Sequence, residues 1–233
     1  MTGSSSFELD KFPRPSLAVD VAVMTVTAAG ELGVLLHRRT GDKAGTWALP
    51  GRFLRERERL AVAIERTLEE KCGLPARDIT GRAPRQLHVF DDPDRDDRGW
   101  VLSVAHLLVL PIERLDPVVA EHPGLAIAPI RNDHAVLPDT QKQLPYGQDE
   151  IIARAHEELR REYLETPDPE RFLETDTFTL SELGVVHFAV LGKENWAIDT
   201  FRRKMSRQLR ETSAEKRGGP GRPAALFRRS RHS

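Results

Sequence analysis

The N-terminal half of the chain contains four stretches with the composition of β-strands. Residues 17–27 (LAVDVAVMTVT) are rich in β-branched residues, with Asp20 as the one charged interruption, and residues 32–39 (LGVLLHRR) follow after a short turn. β-branched side chains pack well on a pleated sheet, so both stretches are predicted strands. Residues 85–90 are predicted as a third strand. Residues 101–110 are predicted as a fourth that is buried on both faces, because it is almost entirely apolar.

Two stretches have the 3.6-residue period of helices. The first is predicted to begin at about Leu60, after a turn that Pro50 and Gly51 favour, because proline fixes its own backbone angle and glycine accepts angles that other residues avoid. The second covers residues 150–165 (EIIARAHEELRREYLE), where apolar residues recur every three or four positions and Asp149 can cap the N-terminus. One face of this long helix is expected to dock, while the other is charged.

The remaining residues between these elements give few signals of regular structure. Residues 111–148 are proline-rich and are predicted to be irregular, apart from a short strand at about 135–137. Pro167 ends the long helix, and residues 166–177 (TPDPERFLETDT) have the composition of a linker. We therefore predict a flexible N-terminus and two domains, with the bounds 1–13, 14–166 and 167–233.

The C-terminal domain is predicted to contain two short helices joined by a turn. Thr179 or Ser181 can cap the first helix, and the second runs from about Ala197 to Leu209. Glycines within residues 218–221 favour a hairpin turn before a returning strand at 224–227. Two helices followed by a hairpin is the layout of a winged helix-turn-helix.

Charge is divided very unevenly along the chain. The whole sequence has 35 Lys or Arg and 36 Asp or Glu, but residues 201–233 hold 11 Lys or Arg against two Asp or Glu. Basic side chains on the second helix and on the hairpin favour double-stranded DNA as the partner, because they neutralise phosphates and release counterions. A membrane surface is the weaker alternative, because the basic segment is divided by turns and does not form one long amphipathic helix. RNA is disfavoured because the sequence shows no aromatic platform on which bases could stack. The candidate DNA-binding residues are Thr179, Ser181, Arg202, Arg203, Lys204, Arg207, Lys216, Arg217 and Arg222.

Composition excludes several other classes of protein. A chain of 233 residues with 39% hydrophobic residues can bury an ordinary globular core. No apolar run approaches the ~20 residues that span a bilayer, and the first residues lack an apolar signal core, so we expect a cytoplasmic protein. The single cysteine, Cys72, cannot form an internal disulfide and is interpreted as structural or incidental, not catalytic.

The first predicted helix carries a motif whose spacing is typical of a phosphate-handling, metal-binding site. Residues 52–74 resemble a Nudix box, which consists of a glycine, a glutamate six residues on, and later Arg-Glu-x-x-Glu-Glu-x-Gly. The positions that agree are Glu58, Arg66, Glu70 and Gly73. The positions that depart are Arg52 for the first glycine, Thr67 for the glutamate after the arginine, and Lys71 for the last glutamate.

These departures change the chemistry that the resemblance implies. Magnesium needs hard oxygen ligands, and of the three carboxylates that the box places on the helix only Glu70 remains. Lys71 places a positive charge near the expected cation, and over ~4 Å such a repulsion is on the order of 4 kcal/mol at an effective dielectric of 20. No catalytic residue and no metal site are therefore assigned; the candidate ligands for a magnesium ion would be Glu58 and Glu70. The resemblance also implies that Glu58 and Arg66 form a structural ion pair. An ordinary, highly charged amphipathic helix is the alternative interpretation.

Two further features are similar to nucleotide-binding members of that family. The loop 92–99 (DPDRDDRG) followed by a strand containing SVAH resembles the Nudix subgroup that recognises ADP-ribose, which implies that Arg95, Arg98 and Gly99 line the ligand mouth. Arg38 and Arg39 lie at the end of the second predicted strand, and their planar guanidinium groups suit a diphosphate. Either side chain could instead be a solvated strand end. The candidate effector-binding residues are Arg38, Arg39, Trp47, Arg52, Glu70, Arg95, Arg98 and Gly99.

The order of these parts is more specific than any one motif. FTLSELGVVHFAVLG, DTFRRKM and GRPAALFR follow the altered box, and the chain from about residue 14 to 229 resembles the Nudix-related transcriptional regulators of NAD metabolism. The resemblance implies an α+β fold, with an N-terminal Nudix-like α/β/α sandwich built on a mixed sheet and a C-terminal winged helix-turn-helix.

The same resemblance implies a function. It describes a homodimeric repressor that binds palindromic operators near genes of NAD synthesis or salvage, senses ADP-ribose or a related nucleotide, and requires no cofactor. The competing prediction is an active ADP-ribose pyrophosphatase with an accessory basic domain.

Overall fold

The computed structural model describes residues 11–41, 43–192, 198–216 and 223–230. Most of residues 1–13 and the hairpin residues 217–222, for which the sequence made predictions, lie outside the described residues. The strands are β1 (Ser16–Val26), β2 (Leu32–Arg38), β3 (Trp47–Ala48), β4 (Gly51–Phe53), β5 (Arg85–Phe90), β6 (Val101–Val109), β7 (Leu125–Arg131), β8 (His134–Ala135), β9 (Thr177–Phe178), β10 (Leu209–Lys216) and β11 (Ala224–Arg229). The helices are α1 (Leu60–Cys72), α2 (Ile112–Glu121), α3 (Gln148–Tyr163), α4 (Leu180–Leu191) and α5 (Ile198–Ser206).

β1 is the central strand of an eight-stranded mixed sheet. It pairs in parallel with β6, from Ser16–Val101 to Met24–Val109, and antiparallel with β2 and β4. Its side chains alternate between two cores, with Val19, Val21 and Val23 on one face and Ala22, Met24 and Val26 on the other. Because both faces are buried, the strand is mostly apolar, with Asp20 as its one charged residue.

Helices cover both faces of this sheet. α1 packs on the first face through Ala63, Ile64 and Leu68, and α2 packs beside it through Leu115. α3 packs on the second face through apolar residues that include Ile152. The predicted burial of the fourth strand on both faces is confirmed, since every residue of β6 except one is buried. Cys72 is also buried, and burial raises the pKa of its thiol to about 12.

The segment from residue 111 to residue 148, predicted to be irregular, contains α2 and β7, so this prediction was wrong. The sequence is misleading because Pro117 lies inside α2 and Pro129 lies inside β7. Proline removes a backbone donor and argues against both elements. β7 tolerates Pro129 because its outer side pairs with the short β8, where Pro129 needs no backbone donor: its carbonyl accepts a hydrogen bond from the Val136 amide at 2.7 Å. That short strand lies at His134–Ala135, earlier than predicted.

Two predicted helix ends were also wrong. α3 begins at Gln148 after Gly147, and Asp149 does not cap it but accepts a hydrogen bond from the Leu144 amide at 2.8 Å. α5 ends at Ser206, and β10 begins at Leu209. Arg207 therefore lies in the turn after the helix and not on the helix.

The C-terminal unit consists of α4, α5 and a three-stranded sheet in the order β10, β11, β9. Its own core contains Phe178, Leu183, Phe201, Met205 and Leu209. Ile198, an apolar residue at the start of α5, is 58% exposed. α4 also packs on α3 through Val186 and Val190, so the unit shares a buried face with the first domain. No helix in the described ranges is long and apolar enough to cross a membrane.

Candidate functional site

A cleft of about 470 Å³ opens where β1, β4 and α1 meet the loop before β6. Its lining contains seven cationic side chains, Arg39, Arg52, Arg55, Arg66, Lys71, Arg95 and Arg98, and the two carboxylates of Asp20 and Asp96. Because like charges converge on one concave surface, the cleft is suited to a ligand with several negative charges. Four predicted effector-binding residues, Arg39, Arg52, Arg95 and Arg98, line it together.

The ion pair that the resemblance implied is present at the base of the cleft. Arg66 donates from Nε and from one terminal nitrogen to the two carboxylate oxygens of Glu58, both at 2.8 Å. These hydrogen bonds lower the pKa of Glu58 to about 2. Arg66 also donates to the Phe53 carbonyl at 3.1 Å, so the pair ties β4 to α1.

Gly73 keeps the role of the box's last glycine at the end of the same helix. It has φ +64°, a left-handed conformation that glycine adopts without strain, and a Cβ built there would lie 2.8 Å from the His122 ring.

The three positions that depart from the box have distinct environments. Arg52 forms a salt bridge with Glu70, whose other carboxylate oxygen lies 4.0 Å from Arg55. Thr67 is fully buried, and its hydroxyl donates to the Ala63 carbonyl at 2.6 Å within the helix. Lys71 lines the cleft, and its pKa is lowered first by burial and then by Arg52 and Arg39.

The residues present do not fit a magnesium site. Both carboxylates proposed from the sequence, Glu58 and Glu70, are engaged by arginines. Among the residues described, no three His, Cys, Asp or Glu side chains lie close enough to hold a metal ion. A divalent cation would have to displace these arginines and accept Lys71 as a neighbour.

Asp20 is a site residue that the sequence interpretation did not assign. It is 6% exposed and accepts hydrogen bonds from Ser103 at 2.5 Å and Gln148 at 2.7 Å, and Arg95 lies 3.8 Å away. Burial is the main cause that raises its pKa, against the lowering effect of these partners. A Cβ on Gly51 would lie 2.2 Å from Asp20, so glycine is required there. A single charge in an otherwise apolar strand was the available signal, since a buried charge needs partners.

Tyr146 is a second residue that was missed, and it lies at the mouth of the cleft. The cationic groups of Arg98, Lys43 and Arg39 lie 4.1, 4.4 and 4.9 Å from the centre of its ring. Arg39 also donates to its hydroxyl at 3.1 Å, and Arg95 donates to its carbonyl at 2.8 Å. Its backbone has φ +60°, and nothing local in the sequence predicts this turn.

Arg98 joins the two sides of the mouth. Its guanidinium lies 5.1 Å from the centre of the Phe53 ring and forms a bidentate pair with Asp96 at 2.8 and 2.7 Å. Burial would raise the pKa of Asp96, but the hydrogen bonds from Arg98 outweigh burial, and the pKa is lowered.

The other predicted effector-binding residues do not line this cleft. The Arg38 guanidinium lies 4.7 Å from the Trp47 ring centre, and both side chains bond to Asp139, at 3.3 and 3.0 Å. Trp47 is 4% exposed and belongs to the core. Glu70 faces a neighbouring groove that Arg38 also lines, and Gly99 lies in the loop before β6.

The predicted DNA-binding residues fall into several environments. Arg202 and Arg203 are exposed on α5, away from Phe201 and Met205, which are buried. Lys204 binds the Glu165 carboxylate at 2.7 Å, and Lys216 binds the Glu182 carboxylate at 2.5 Å. Thr179 and Glu182 form a capping box at the start of α4, and Ser181 is exposed. Arg217 and Arg222 lie outside the described residues.

α3 connects the cleft to the C-terminal unit. Gln148 at its first turn binds Asp20 in the cleft wall, and His156 in its middle contacts the Val190 carbonyl of α4 at 2.9 Å. Tyr163 at its end donates to Asp168 at 2.7 Å. One helix therefore contacts both the candidate ligand site and the candidate DNA-binding unit.

Asp168 is the centre of a buried junction within the predicted linker. It is fully buried, pairs with Arg229 of β11, and accepts hydrogen bonds from the amides of Phe172 and Leu173 at 2.8 and 3.1 Å. Its own amide donates to Nε2 of His187 at 3.2 Å. Burial lowers the pKa of His187 to about 4, which keeps the imidazole neutral and able to accept this bond.

Comparison with known proteins gives matches for both parts of the chain. The family model of the NUDIX domain matches residues 16–123, and that of the NrtR DNA-binding winged helix domain matches residues 172–229. The fold is similar to the crystal structure of Shewanella oneidensis NrtR complexed with a 27mer DNA, at 28% identity over 92% of this chain and 93% of that chain, with a TM-score of 0.72.

Two other matches concern the first domain. The NUDIX domain of Shewanella oneidensis NrtR complexed with ADP ribose matches at 25% identity over 68% of this chain and 99% of that chain, with a TM-score of 0.52. An ADP-ribose pyrophosphatase of Methanocaldococcus jannaschii is 33% identical over 75 residues, which cover 32% of this chain and 41% of that enzyme. The predicted fold class, a Nudix-like domain followed by a winged helix-turn-helix, is confirmed.

Proposed function

The chain belongs to the NrtR family of Nudix domains joined to a winged-helix DNA-binding domain, and we propose that it is a transcriptional repressor that senses ADP-ribose or a related nucleotide. The observation that carries the proposal is that one chain has both a cation-rich Nudix cleft and exposed arginines on α5. The carboxylates that line the cleft, Asp20 and Asp96, accept hydrogen bonds from protein side chains. The regulated genes are those of NAD biosynthesis or salvage, and the protein acts in the cytoplasm.

The chemistry of the cleft supports a nucleotide diphosphate as the effector. Guanidinium groups can form paired hydrogen bonds with phosphate oxygens, and Arg39, Arg52 and Arg95 all line the cleft. The Phe53 ring at the mouth is 40% exposed and offers a face on which an adenine can stack. The relative crystallised with ADP ribose supports the same ligand for this chain.

The C-terminal unit supports DNA as the partner. Arg202 and Arg203 lie on the second helix of a helix-turn-helix, the element that enters the major groove in such proteins. We propose that the chain acts as a homodimer and that two copies of this unit bind the halves of a palindromic operator.

The DNA-binding part of the proposal is tested with a duplex from the region upstream of the chain's own gene. Specific binding is expected to be at least ~10³-fold tighter than binding to a scrambled duplex at the same salt concentration. Equal affinity for the two duplexes would contradict it for that promoter and for self-regulation.

Regulation is proposed to pass through α3. The ligand site contacts its first turn, and α4 and the Asp168 junction contact its middle and end. Ligand and DNA then favour different arrangements of the winged unit, which is a shift between populations.

A second candidate function is an active ADP-ribose pyrophosphatase, because the Methanocaldococcus jannaschii relative carries that name. We propose that this domain is inactive, because Glu70 forms a salt bridge with Arg52 and Lys71 adds a positive charge to the cleft where a metal ion would be needed. Incubation with ADP-ribose and magnesium, followed by chromatography for AMP, distinguishes the two candidates. Multiple turnovers that disappear in an Arg66→Ala variant would favour the enzyme.

A further inference from the structure

The side chains that would meet a bound diphosphate include a cationic cluster formed by two altered box positions and by the residue that follows β2. We define this cluster as Arg39, Arg52 and Lys71, which all line the cleft. Relative to the box pattern, arginine at position 52 adds one positive charge, threonine at 67 removes one negative charge, and lysine at 71 changes the charge by two. The local charge is thus four units more positive than the box would give.

The carboxylate beside this cluster, Glu70, is engaged by arginines and is not available as a metal ligand. Glu70 pairs with Arg52, with Arg55 at 4.0 Å on its other oxygen. This pairing holds the Arg52 guanidinium at the cleft, where Arg52 is 28% exposed. The carboxylate that the box supplies as a ligand therefore serves here to position a cation.

The cluster carries unfavourable repulsion that an anion would relieve. Arg52 and Arg39 both act to lower the pKa of Lys71, in addition to the effect of burial. A phosphate bound between these three cations would attract each of them and offset their mutual repulsion. An opposite charge within a few ångströms also favours the charged form of lysine. The fold keeps the cations together through Glu70 and Tyr146, so the site is organised before the ligand arrives.

We propose that the cationic cluster replaces the divalent cation, so that the cleft binds a nucleotide diphosphate directly and without a metal ion. This inference rests on the proposed effector function and specifies how the ligand is held. The ammonium group of Lys71 and the guanidinium groups of Arg39 and Arg52 bind the phosphate oxygens and supply the positive charge that a metal ion would provide. The ligand class is a dianionic pyrophosphate linked to a nucleoside.

The test is calorimetric titration of the full chain with ADP-ribose, once with magnesium and once with EDTA. The expected dissociation constants are the same in both buffers. Lys71→Gln is expected to weaken binding ~10- to 100-fold, the loss typical of one charge-assisted hydrogen bond. Lys142→Gln, which removes an exposed lysine outside the cleft, is the matched control and should bind as the wild type does.

A second variant tests the direction of the change. Arg52→Gly combined with Lys71→Glu restores two box positions and leaves the buried Thr67 in place; its fold is checked by circular dichroism. Its binding of ADP-ribose is expected to become dependent on magnesium.

The outcomes separate this inference from the proposed function. Binding by the wild type that requires magnesium would overturn the inference and leave the effector function standing. Absence of ADP-ribose binding in both buffers would overturn both.

Discussion

Single buried polar residues organise both the cleft and the junction between α3 and the C-terminal unit. Asp20 is a lone charge in an apolar predicted strand, which indicates that it needs partners, but the sequence does not identify those partners. Asp168 was hidden in a segment with the composition of a linker, yet it is fully buried and bonds to Tyr163, Arg229 and two amides. Composition predicts exposure only on average, so a buried aspartate in a polar segment is not recognisable before its partners are known.

His187 provides a test of this buried junction through pH. Its pKa is about 4 in the folded protein, against 6.5 for an unperturbed histidine. As pH falls through this range the unfolded chain binds a proton first, so the free energy of unfolding falls. Between pH 7 and pH 5 the loss from this one group is expected to be ~2 kcal/mol.

Urea unfolding of the wild type and of His187→Gln at the two pH values measures this loss. The variant keeps a hydrogen-bond acceptor but cannot titrate, so its stability should depend less on pH. His37, whose pKa burial also lowers to about 4, titrates in both proteins and cancels in the comparison. An identical pH dependence for the two proteins would refute the role given to His187.

The arginines of α5 provide a test of DNA recognition. Arg202→Ala or Arg203→Ala is expected to weaken binding to the operator by ~1–3 kcal/mol if the replaced side chain contacts a base edge. Fluorescence anisotropy with a labelled duplex at fixed salt measures this. Arg161→Ala, an exposed arginine on α3, is the control. Wild-type affinity in the double variant would exclude α5 as the recognition helix.

At the level of elements, periodicity predicted those whose burial is simple. β1, β2, β5, β6, α1 and α3 follow their expected patterns to within a few residues. α2 and β7 were missed because Pro117 and Pro129 argue against regular structure, and the pairing of β7 with β2 overrides that local preference. The end of α5 was misplaced because Leu209 continues the helical period but belongs to the buried end of β10.

The junction between α3 and β11 provides a test of coupling between elements. Arg229→Gln removes the charge that pairs with Asp168 and is expected to leave ADP-ribose affinity unchanged, because Arg229 does not line the cleft. The effect of ADP-ribose on DNA affinity is expected to shrink, since the arrangement of the winged unit is less firmly held.

The matched control for this variant is Arg171→Gln. Arg171 lies in the same segment and pairs with the exposed Asp176 at 3.3 Å. If Arg229→Gln keeps the full effect of ADP-ribose on DNA binding, the junction does not carry the coupling.

At the level of the whole molecule, the sequence predicted the order of the two domains and the division of charge between them. It predicted four arginines of the cleft but not Tyr146 or Gln148, because these two residues are about a hundred residues from the strands that they join. Nor did it predict that α4 shares a core with α3. Contacts over such separations leave no local pattern, and they are the contacts that connect the ligand site to the DNA-binding unit.

The central claim is that one chain binds ADP-ribose and DNA and that each ligand changes the affinity for the other. The most direct measurement is the affinity for the operator duplex with and without saturating ADP-ribose at fixed salt, together with the affinity for ADP-ribose with and without DNA. The same factor is expected in both directions, in the range of ~5- to 150-fold that is typical of coupled sites. Binding of both ligands with no change in either affinity would contradict the claim.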